Sequence, residues 1–256
     1  MIDSRAIVDP SAKLANDVEV GPWSIIGPDV EIGAGTVVGP HVVIKGPTKI
    51  GCNNRIFQFA SVGEDCQDKK YAGEPTTLTI GDHNVIREGV TIHRGTIQDA
   101  GTTTIGSHNL FMAYAHVAHD CVVGDHVIMA NNTAIAGHVH VGDWSILGGF
   151  TAVHQFCKIG SHVMCGTSTV VLKDIPAYVM ANGNTATPHG INTEGLKRRG
   201  FSTEAISQIK RAYKSLYRKK LTVAQALSEL QVMAESCPEI EPLIDSVKNS
   251  SRGIIR

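Results

Sequence analysis

Residues 117–160 read VAHDCVVGDHVIMANNTAIAGHVHVGDWSILGGFTAVHQFCKIG, and an apolar side chain returns at every sixth position. These positions are Val117, Val123, Met129, Ile135, Val141, Leu147, Val153 and Ile159. The same period extends over three runs, Val8–Val62, Ile80–Ile92 and Ile105–Val171. Because six is an even number, the same side chains point inward in every repeat of an extended strand. Each repeat therefore predicts a short strand and a tight corner, and three repeats close a triangular coil of 18 residues.

The interior of this coil is predicted to be narrow. Small or branched residues recur four positions after the inward apolar ones, for example Ser24, Val30, Thr36, Ala115, Val127 and Thr133. The low aromatic content of 5% agrees with such an interior. Cys121, Cys157 and Cys165 fall on inward positions, which favours buried, unreactive thiols.

Composition excludes several classes of protein. The net charge of −1 over 256 residues gives no bias toward nucleic acid or an anionic membrane surface. The N-terminus lacks an apolar signal segment, and no stretch approaches the ~18 apolar residues of a membrane span. Six scattered cysteines without a CxxC pair are typical of reduced thiols, so we expect a cytoplasmic protein.

Two segments interrupt the repeat, and a different pattern follows it. Residues 64–78 are too polar to line the interior, residues 94–103 shift the phase by one, and long loops in a tight solenoid are usually functional. Beyond Asp174 the repeat stops. Residues 191–200, 202–220 and 222–237 predict helices, with Thr222 and Gln225 as a capping box and Gly200 as a stop signal. We expect a β-helix over 1–187 and a helical domain over 188–256.

The 18-residue coil predicts which residues are neighbours. Val117, Ile135 and Val153 share one side of the coil in three successive turns. His119, Gly137 and Gln155, each two residues further on, must stack in one outward column, here called the site column. A base would lie about 5 Å from a glycine backbone N–H on the next coil. A base and an N–H donor on either side of a carbonyl carbon are the minimum for acyl transfer.

Other interpretations of the histidines remain open at this point. Six of the twelve occupy the third place after an inward position, where a corner accommodates histidine, so His138 alone is weak support for a site. His116 and His119 have the wrong spacing for a metal pair on one strand, because it points the two rings to opposite faces unless a corner intervenes. We therefore expect no metal. GAGTVVG at 33–39 resembles a phosphate loop only because its glycines belong to the repeat.

Several motifs carry a close family resemblance. They are QDKKYAGEPT (67–76), IHRGT (92–96), AHVAHDC (115–121), AGHVHV (136–141), TAVHQFC (151–157) and NTEGLKRRGFS (192–202). Over essentially the whole chain, the sequence resembles the acyl-[acyl-carrier-protein]–UDP-N-acetylglucosamine O-acyltransferases of lipid A biosynthesis, within the hexapeptide-repeat acyltransferases. The resemblance implies a left-handed parallel β-helix of hexapeptide repeats with a C-terminal α-helical domain, and a homotrimer with sites between subunits.

The resemblance also implies an activity and its participants. The reaction moves an (R)-3-hydroxyacyl group from acyl carrier protein to the glucosamine 3-hydroxyl of UDP-N-acetylglucosamine. The acyl donor is carried on the phosphopantetheine of acyl carrier protein, and no other cofactor is expected. Acyl carrier protein is acidic, which suits residues 197–220, where nine Lys and Arg face one acid, Glu204. A solvated helix face is the alternative interpretation of that run.

Residue roles follow motif by motif from the same resemblance. His119 is implied as the general base, Asp120 as its orienting partner, and the Gly137 N–H as the oxyanion donor. Sugar or acyl contacts are implied for Gln67, Asp68, Lys70, His93, His116, His138, His154 and Gln155. Nucleotide contacts are implied for Asn192, Glu194 and Arg198. Thr167 aligns with the residue that sets acyl-chain length, and as it is bulkier than glycine we expect a shorter chain.

Three rival functions predict different features. The related N-acyltransferase of the same pathway carries a separate N-terminal domain, whereas the repeats here begin at Val8. A trimeric metal-dependent hydratase on the same solenoid would contain zinc. A scaffold or a nucleotide-sugar-binding module would not need the two interrupting loops or the site column.

Overall fold

The computed structural model describes residues 1–256, and short strands make up most of it. Strands β1 to β9 are Ile7–Val8, Lys13–Leu14, Glu19–Val20, Ile25–Ile26, Val30–Ile32, Val37–Val38, Val43–Ile44, Thr48–Ile50 and Arg55–Ile56. Strands β10 to β18 are Ser61–Glu64, Thr77–Ile80, Val85–Ile86, Thr91–His93, Thr102–Ile105, Leu110–Phe111, His116–Val117, Val122–Val123 and Ile128–Met129. Strands β19 to β27 are Ala134–Ile135, His140–Val141, Ile146–Leu147, Ala152–Val153, Lys158–Ile159, Met164–Cys165, Val170–Val171, Val179–Asn182 and Thr187–Ile191.

Every third strand lies in the same sheet, so the chain winds around a three-sided prism. The first face holds nine strands, β1 to β25 in steps of three, and the second holds eight, β2 to β23. The third face holds ten strands and ends with β24, β26 and β27. All pairs are parallel except β26 with β27. The predicted parallel β-helix of hexapeptide repeats is confirmed.

The inward positions form one continuous core. From Val20 onward the predicted apolar positions are all buried, as are the small residues four places later, such as Ser24, Thr36 and Thr133. Val8 and Leu14 are only partly buried because they belong to the first, open coil. Cys121, Cys157 and Cys165 are also inside, and burial raises the pKa of each thiol, that of Cys121 to about 12.

The corners have a left-handed backbone conformation. The six corner histidines have φ between +54° and +62°, a region that favours Gly, Asn, Asp and His. Their rings stack along the prism, as in the run from His83 through His108 and His126 to Trp144. The interpretation of these histidines as corner residues is confirmed.

Four helices follow the β-helix. They are α1 (Thr193–Arg198), α2 (Thr203–Tyr217), α3 (Val223–Ala234) and α4 (Glu241–Lys248), the last preceded by a 3₁₀ turn at Pro238–Ile240. The capping box of Thr222 and Gln225 is present, and Gly200 has a φ of +80° after α1. The β26–β27 hairpin and α4 were not predicted. The boundary at 187/188 stays a prediction, although helix formation begins at Thr193.

None of the helices is both long enough and apolar enough to cross a membrane. All six cysteines are free thiols.

Candidate active site

The site column lies at the corner between the first and second faces. Strands β16, β19 and β22 pair in the predicted register, with Val117 opposite Ile135 and Ile135 opposite Val153. His119, Gly137 and Gln155 follow these strands. A Cβ atom built on Gly137 would lie 2.5 Å from Cε1 and 2.6 Å from Nε2 of His119. The imidazole therefore packs directly against a bare glycine backbone, and only glycine fits there without displacing the ring.

His119 is oriented by the residue that follows it. Its Nδ1 lies 2.8 Å from Oδ2 of Asp120, whose side chain is fully buried. A carboxylate can only accept hydrogen bonds, so Nδ1 of His119 is the donor in this pair. In the neutral ring this leaves Nε2, the atom beside Gly137, with a free lone pair. That is the arrangement that a general base requires.

Gly137 is a buried residue at the wall of the cleft described below, and its backbone N–H donates to no atom of the chain. This is unlike the neighbouring corner between the second and third faces, where the equivalent N–H groups are capped by side chains one coil further on. Four backbone N–H groups there donate to side-chain oxygens at 2.6 to 3.0 Å. The pairs are Cys52 N–H with Asp82, Asp82 N–H with Ser107, Ser107 N–H with Asp125, and Asp125 N–H with Asp143. In the site column the corresponding residue is Gln155, which makes no such bond. The Gly137 N–H is thus available to an incoming oxygen.

A second imidazole stands beside the first. The His138 ring is edge-on to His119 at 5.0 Å between centroids and stacks on Phe156 at 4.3 Å. Its Nδ1 lies 2.7 Å from Oδ2 of Asp99 and 4.0 Å from Oδ2 of Asp120. His119, Asp120 and His138 are close enough together to offer three atoms to a metal ion. Each Nδ1 is already bonded to a carboxylate, so these residues form two hydrogen-bonded pairs, His119 with Asp120 and His138 with Asp99.

His116 does not join that cluster. Its Nδ1 bonds to Oγ1 of Thr91 at 2.7 Å, and its ring meets His93 edge-on at 5.0 Å. Burial, followed by the proximity of His116, lowers the pKa of His93 to about 4. Burial, followed by the proximity of His119, also lowers the pKa of His116. Both rings therefore favour the neutral form, in which each offers one donor and one acceptor.

These groups open into a cleft of about 660 Å³. The predicted residues that line it are Gln67, Asp68, His93, His116, His119, Gly137 and Gln155. Lys69, Ala118, Ala134, Ala136 and Ala152 line it as well and were not predicted. Ala134 and Ala152 occupy the place of His116 one and two coils later. Counting 18 residues from His116 would therefore have predicted that both line the cleft. Their small side chains leave an apolar groove beside the base.

Other predicted residues lie outside this cleft in the single chain. They are Lys70, His138, His154, Thr167, Asn192, Glu194 and Arg198, while Asp120 lies directly behind His119. Asn192 caps α1 through the Gly195 N–H and donates to the His162 carbonyl, and Glu194 pairs with Lys197 on the exposed surface. Thr167 is exposed and follows β24, a strand of the third face, so its predicted position on another side of the prism is confirmed.

Family comparisons agree with this architecture. Residues 174–255 match the second domain of UDP N-acetylglucosamine O-acyltransferase. Residues 2–46 and 102–137 match the bacterial transferase hexapeptide repeats. The solved structure of LpxA from Acinetobacter baumannii is 55% identical, with a TM-score of 0.98 over 100% of this chain and 99% of that one. UDP-N-acetylglucosamine O-acyltransferase from Moraxella catarrhalis is 50% identical, with the same TM-score and coverage.

Similarity to related protein sequences also extends over the whole chain. The acyl-[acyl-carrier-protein]–UDP-N-acetylglucosamine O-acyltransferase of Stutzerimonas stutzeri is 63% identical over 256 residues, which are 100% of this chain and 99% of that protein. This chain is therefore an acyltransferase, and it belongs to the family of acyl-[acyl-carrier-protein]–UDP-N-acetylglucosamine O-acyltransferases.

Proposed function

We propose that this enzyme transfers an (R)-3-hydroxyacyl group from acyl carrier protein to the 3-hydroxyl of the glucosamine of UDP-N-acetylglucosamine, the first step of lipid A biosynthesis. His119 is the general base, Asp120 orients it, and the Gly137 N–H binds the oxyanion. The names of the relatives support the substrates. The observation that carries the chemistry is the site column, where a carboxylate-bound imidazole adjoins an unused backbone N–H.

The reaction follows from this geometry. Nε2 of His119 removes the proton from the sugar 3-hydroxyl as that oxygen attacks the thioester carbonyl carbon. Negative charge develops on the carbonyl oxygen, and the Gly137 N–H donates a hydrogen bond to it. Collapse of the tetrahedral intermediate expels the phosphopantetheine thiolate, which takes the proton back from His119. The base contributes ~10²–10⁴ in rate and one oxyanion donor ~10²–10³.

The cleft residues bind the sugar and the acyl chain. Gln67 and Asp68 line the cleft, and Lys70 follows them in the same loop. The neutral rings of His93 and His116 supply hydrogen bonds without placing a positive charge beside the base. The acyl chain runs along Ala134, Ala152 and Gln155, and His138 and His154, outside the cleft of the single chain, are further sugar or acyl contacts.

We further propose that the active form is a homotrimer with its sites between subunits. Asn192, Glu194 and Arg198 would contact the nucleotide, the guanidinium facing phosphate, yet none of them lines the cleft of its own chain. Thr167 lies at a different corner and would bound the acyl groove of a neighbouring subunit. Both facts agree with sites completed by a second copy. Because threonine is larger than glycine, the enzyme prefers a shorter acyl chain than a glycine-bearing relative.

The proposed setting is the cytoplasm, where acyl carrier protein delivers the donor on its phosphopantetheine. The enzyme itself needs no further cofactor for this transfer. The nine basic residues of 197–220 are the proposed contact for the acidic carrier.

Product analysis with UDP-N-acetylglucosamine and a ladder of 3-hydroxyacyl carrier proteins tests this function. The wild type is expected to give the 3-O-acyl product and to favour a donor shorter than the one a glycine-bearing relative prefers. His119→Ala is expected to lower kcat by ~10²–10⁴, because it removes the base and keeps the fold. Substantial transfer by that variant would refute the base assignment, and equal or better turnover of the longest donor would refute the role of Thr167.

A further inference from the structure

The segment of residues 94–101, here called the strap, links β13 to β14 and makes contacts that no repeat would provide. Arg94 and Thr96 are buried, whereas Asp99 is exposed. Arg94 binds the loop that carries the sugar-binding residues, Thr96 binds Asp120, and Asp99 binds His138. Three side chains of one short segment thus reach three separate parts of the site.

The contact between Thr96 and Asp120 is the most complete of the three. The Thr96 N–H donates to Oδ1 and Oδ2 of Asp120 at 3.0 and 3.1 Å, and its hydroxyl donates to Oδ2 at 2.6 Å. Oδ2 is also the atom that accepts from Nδ1 of His119 at 2.8 Å. Thr96 is 1% exposed and the Asp120 side chain is fully buried, so water does not replace these donors. A buried carboxylate needs such donors to remain charged and fixed in place.

We infer that Thr96 is a positioning residue that acts through Asp120 to hold the His119 imidazole in the orientation and tautomer that base catalysis needs. This inference rests on the proposed function. The hydroxyl and the N–H of Thr96 fix the plane of the carboxylate, and the carboxylate fixes the proton on Nδ1. Nε2 is then held against Gly137 with its lone pair free. Fixing the ring in this way matters because a displacement of about 1 Å at a reacting group costs roughly 10²-fold in rate.

A purely structural role is the alternative, in which Thr96 only anchors the strap. The two roles differ in what they change. Loss of an anchor would loosen the strap and raise KM through the cleft residues, without acting on the base. Loss of a positioning residue lowers kcat and alters the titration of His119, because the hydroxyl shares Oδ2 with the imidazole.

The expected direction of that titration follows from the shared oxygen. Without the Thr96 hydroxyl, the Asp120 carboxylate can turn away from the ring, and the bond from Nδ1 of His119 to Oδ2 weakens. The imidazolium form is then less favoured, and the acidic limb of the kcat/KM profile moves to lower pH. The other titratable groups that face His119 are His116 and His93 of the first face, His138 of the next coil with its partner Asp99 of the strap, and Asp68 and Lys69 of the cleft loop. All of them are unchanged by a substitution at Thr96.

The test compares Thr96→Val, Thr96→Ser and a matched control, Thr104→Val, in the intact enzyme. Thr104 is a half-buried threonine of the adjoining strand whose hydroxyl makes no hydrogen bond in the chain. Valine keeps the shape and the backbone N–H at position 96 and removes only the hydroxyl. We expect Thr96→Val to lower kcat about tenfold, to leave both KM values within about twofold, and to lower the acidic limb by roughly half a unit. Thr96→Ser and Thr104→Val should behave as the wild type.

Two further measurements separate this inference from the base assignment. In a His119→Ala background, Thr96→Val is expected to cause no additional loss, because its effect passes through the missing ring. Nitrogen-15 spectra of the histidines should show a single His119 tautomer in the wild type and a mixture in Thr96→Val. If His119→Ala keeps full activity, the base assignment fails, and the spectra still decide the role of Thr96. Any of four results would overturn the inference. They are a wild-type kcat in Thr96→Val, a raised KM with no change in the acidic limb, a further loss of kcat when Thr96→Val is added to His119→Ala, and histidine spectra that do not change.

Discussion

A side chain at position 137 would collide with the His119 imidazole, since a Cβ there falls within 2.6 Å of Cε1 and Nε2. We expect Gly137→Ala to keep the backbone N–H and the fold but to push the ring off its position. A displaced base lowers kcat by about 10²-fold, with a smaller effect on KM. Steady-state kinetics with both substrates, together with a melting temperature, measure this.

Gly149→Ala is the matched control for that variant. Gly149 follows β21 in the place that Gly137 occupies after β19, yet a Cβ there meets only the Asn131 carbonyl oxygen at 3.4 Å, an ordinary contact. Its activity and stability should match the wild type. If Gly137→Ala were as active as Gly149→Ala, the ring would not be fixed by its contact with the glycine backbone.

The period of the sequence predicts residue neighbours only where the repeat is unbroken. His119 and Gly137 are 18 residues apart on adjacent coils, so their contact could be predicted by counting. Thr96 and Asp99 lie in an interruption, where no period fixes the path of the chain, and their contacts with Asp120 and His138 appear only in three dimensions. The free N–H of Gly137 likewise could not be predicted, because it depends on the Gln155 side chain leaving that N–H without an acceptor.

The strap and the loop of residues 65–76 are held together by one buried cation, Arg94. Arg94 is 5% exposed, donates to the Gly63 carbonyl and to Asp65, and reaches the Tyr71 hydroxyl at 3.1 Å. Lysine carries the same charge, but its single nitrogen cannot take the places of the two guanidinium nitrogens that reach the Gly63 carbonyl and Asp65. We expect Arg94→Lys to release the loop and to raise KM for UDP-N-acetylglucosamine about tenfold, with a smaller fall in kcat. Kinetics at varied sugar nucleotide measure it.

Arg87→Lys provides the comparison for the Arg94 variant. Arg87 pairs with its neighbour Glu88 at the surface and contacts no residue of the cleft. The same change of residue type should leave its KM at the wild-type value. A normal KM in Arg94→Lys would mean that the loop keeps its position without the guanidinium.

Local signals predict elements unevenly along this chain. The capping box at Thr222 has an unambiguous pattern, and the helix begins as expected. The β26–β27 hairpin has no six-residue period, because β27 turns back antiparallel and leaves the coil. Two prolines obscure α4: Pro238 opens the 3₁₀ turn before it, and Pro242 is the second residue of α4 itself. Proline is tolerated in the first turn of a helix, although in a sequence it usually indicates a break.

For the whole molecule, the sequence predicts the prism because one period is repeated through most of the chain, and each coil repeats the geometry of the last. The arrangement of several copies of the chain cannot be predicted in this way. The repeat fixes neighbours only within one chain, so the proposed trimer rests on the family resemblance and not on the spacing. The N-terminal residues 1–192 carry the acidic excess, and the basic excess is confined to the helical part.

That separation of charge leads to a prediction about the donor. On α2, Ile206, Ile209 and Leu216 face the interior, while Lys210, Arg211 and Lys214 are exposed. An exposed basic face attracts an acidic carrier over roughly the ~10 Å screening length at 0.1 M salt. We expect Arg211→Glu with Lys214→Glu to raise KM for acyl carrier protein several-fold at low salt and less at high salt, with KM for UDP-N-acetylglucosamine unchanged.

The control for this reversal changes the net charge equally at the far end of the prism. Lys13→Glu with Lys49→Glu alters two exposed lysines of the second face, among the first coils, remote in sequence from α2. If net charge alone attracted the carrier, both double variants would raise its KM alike. A rise confined to the α2 variant places the carrier on the helical face, whereas equal values for wild type and α2 variant at all salt concentrations would leave that face as a solvated helix surface.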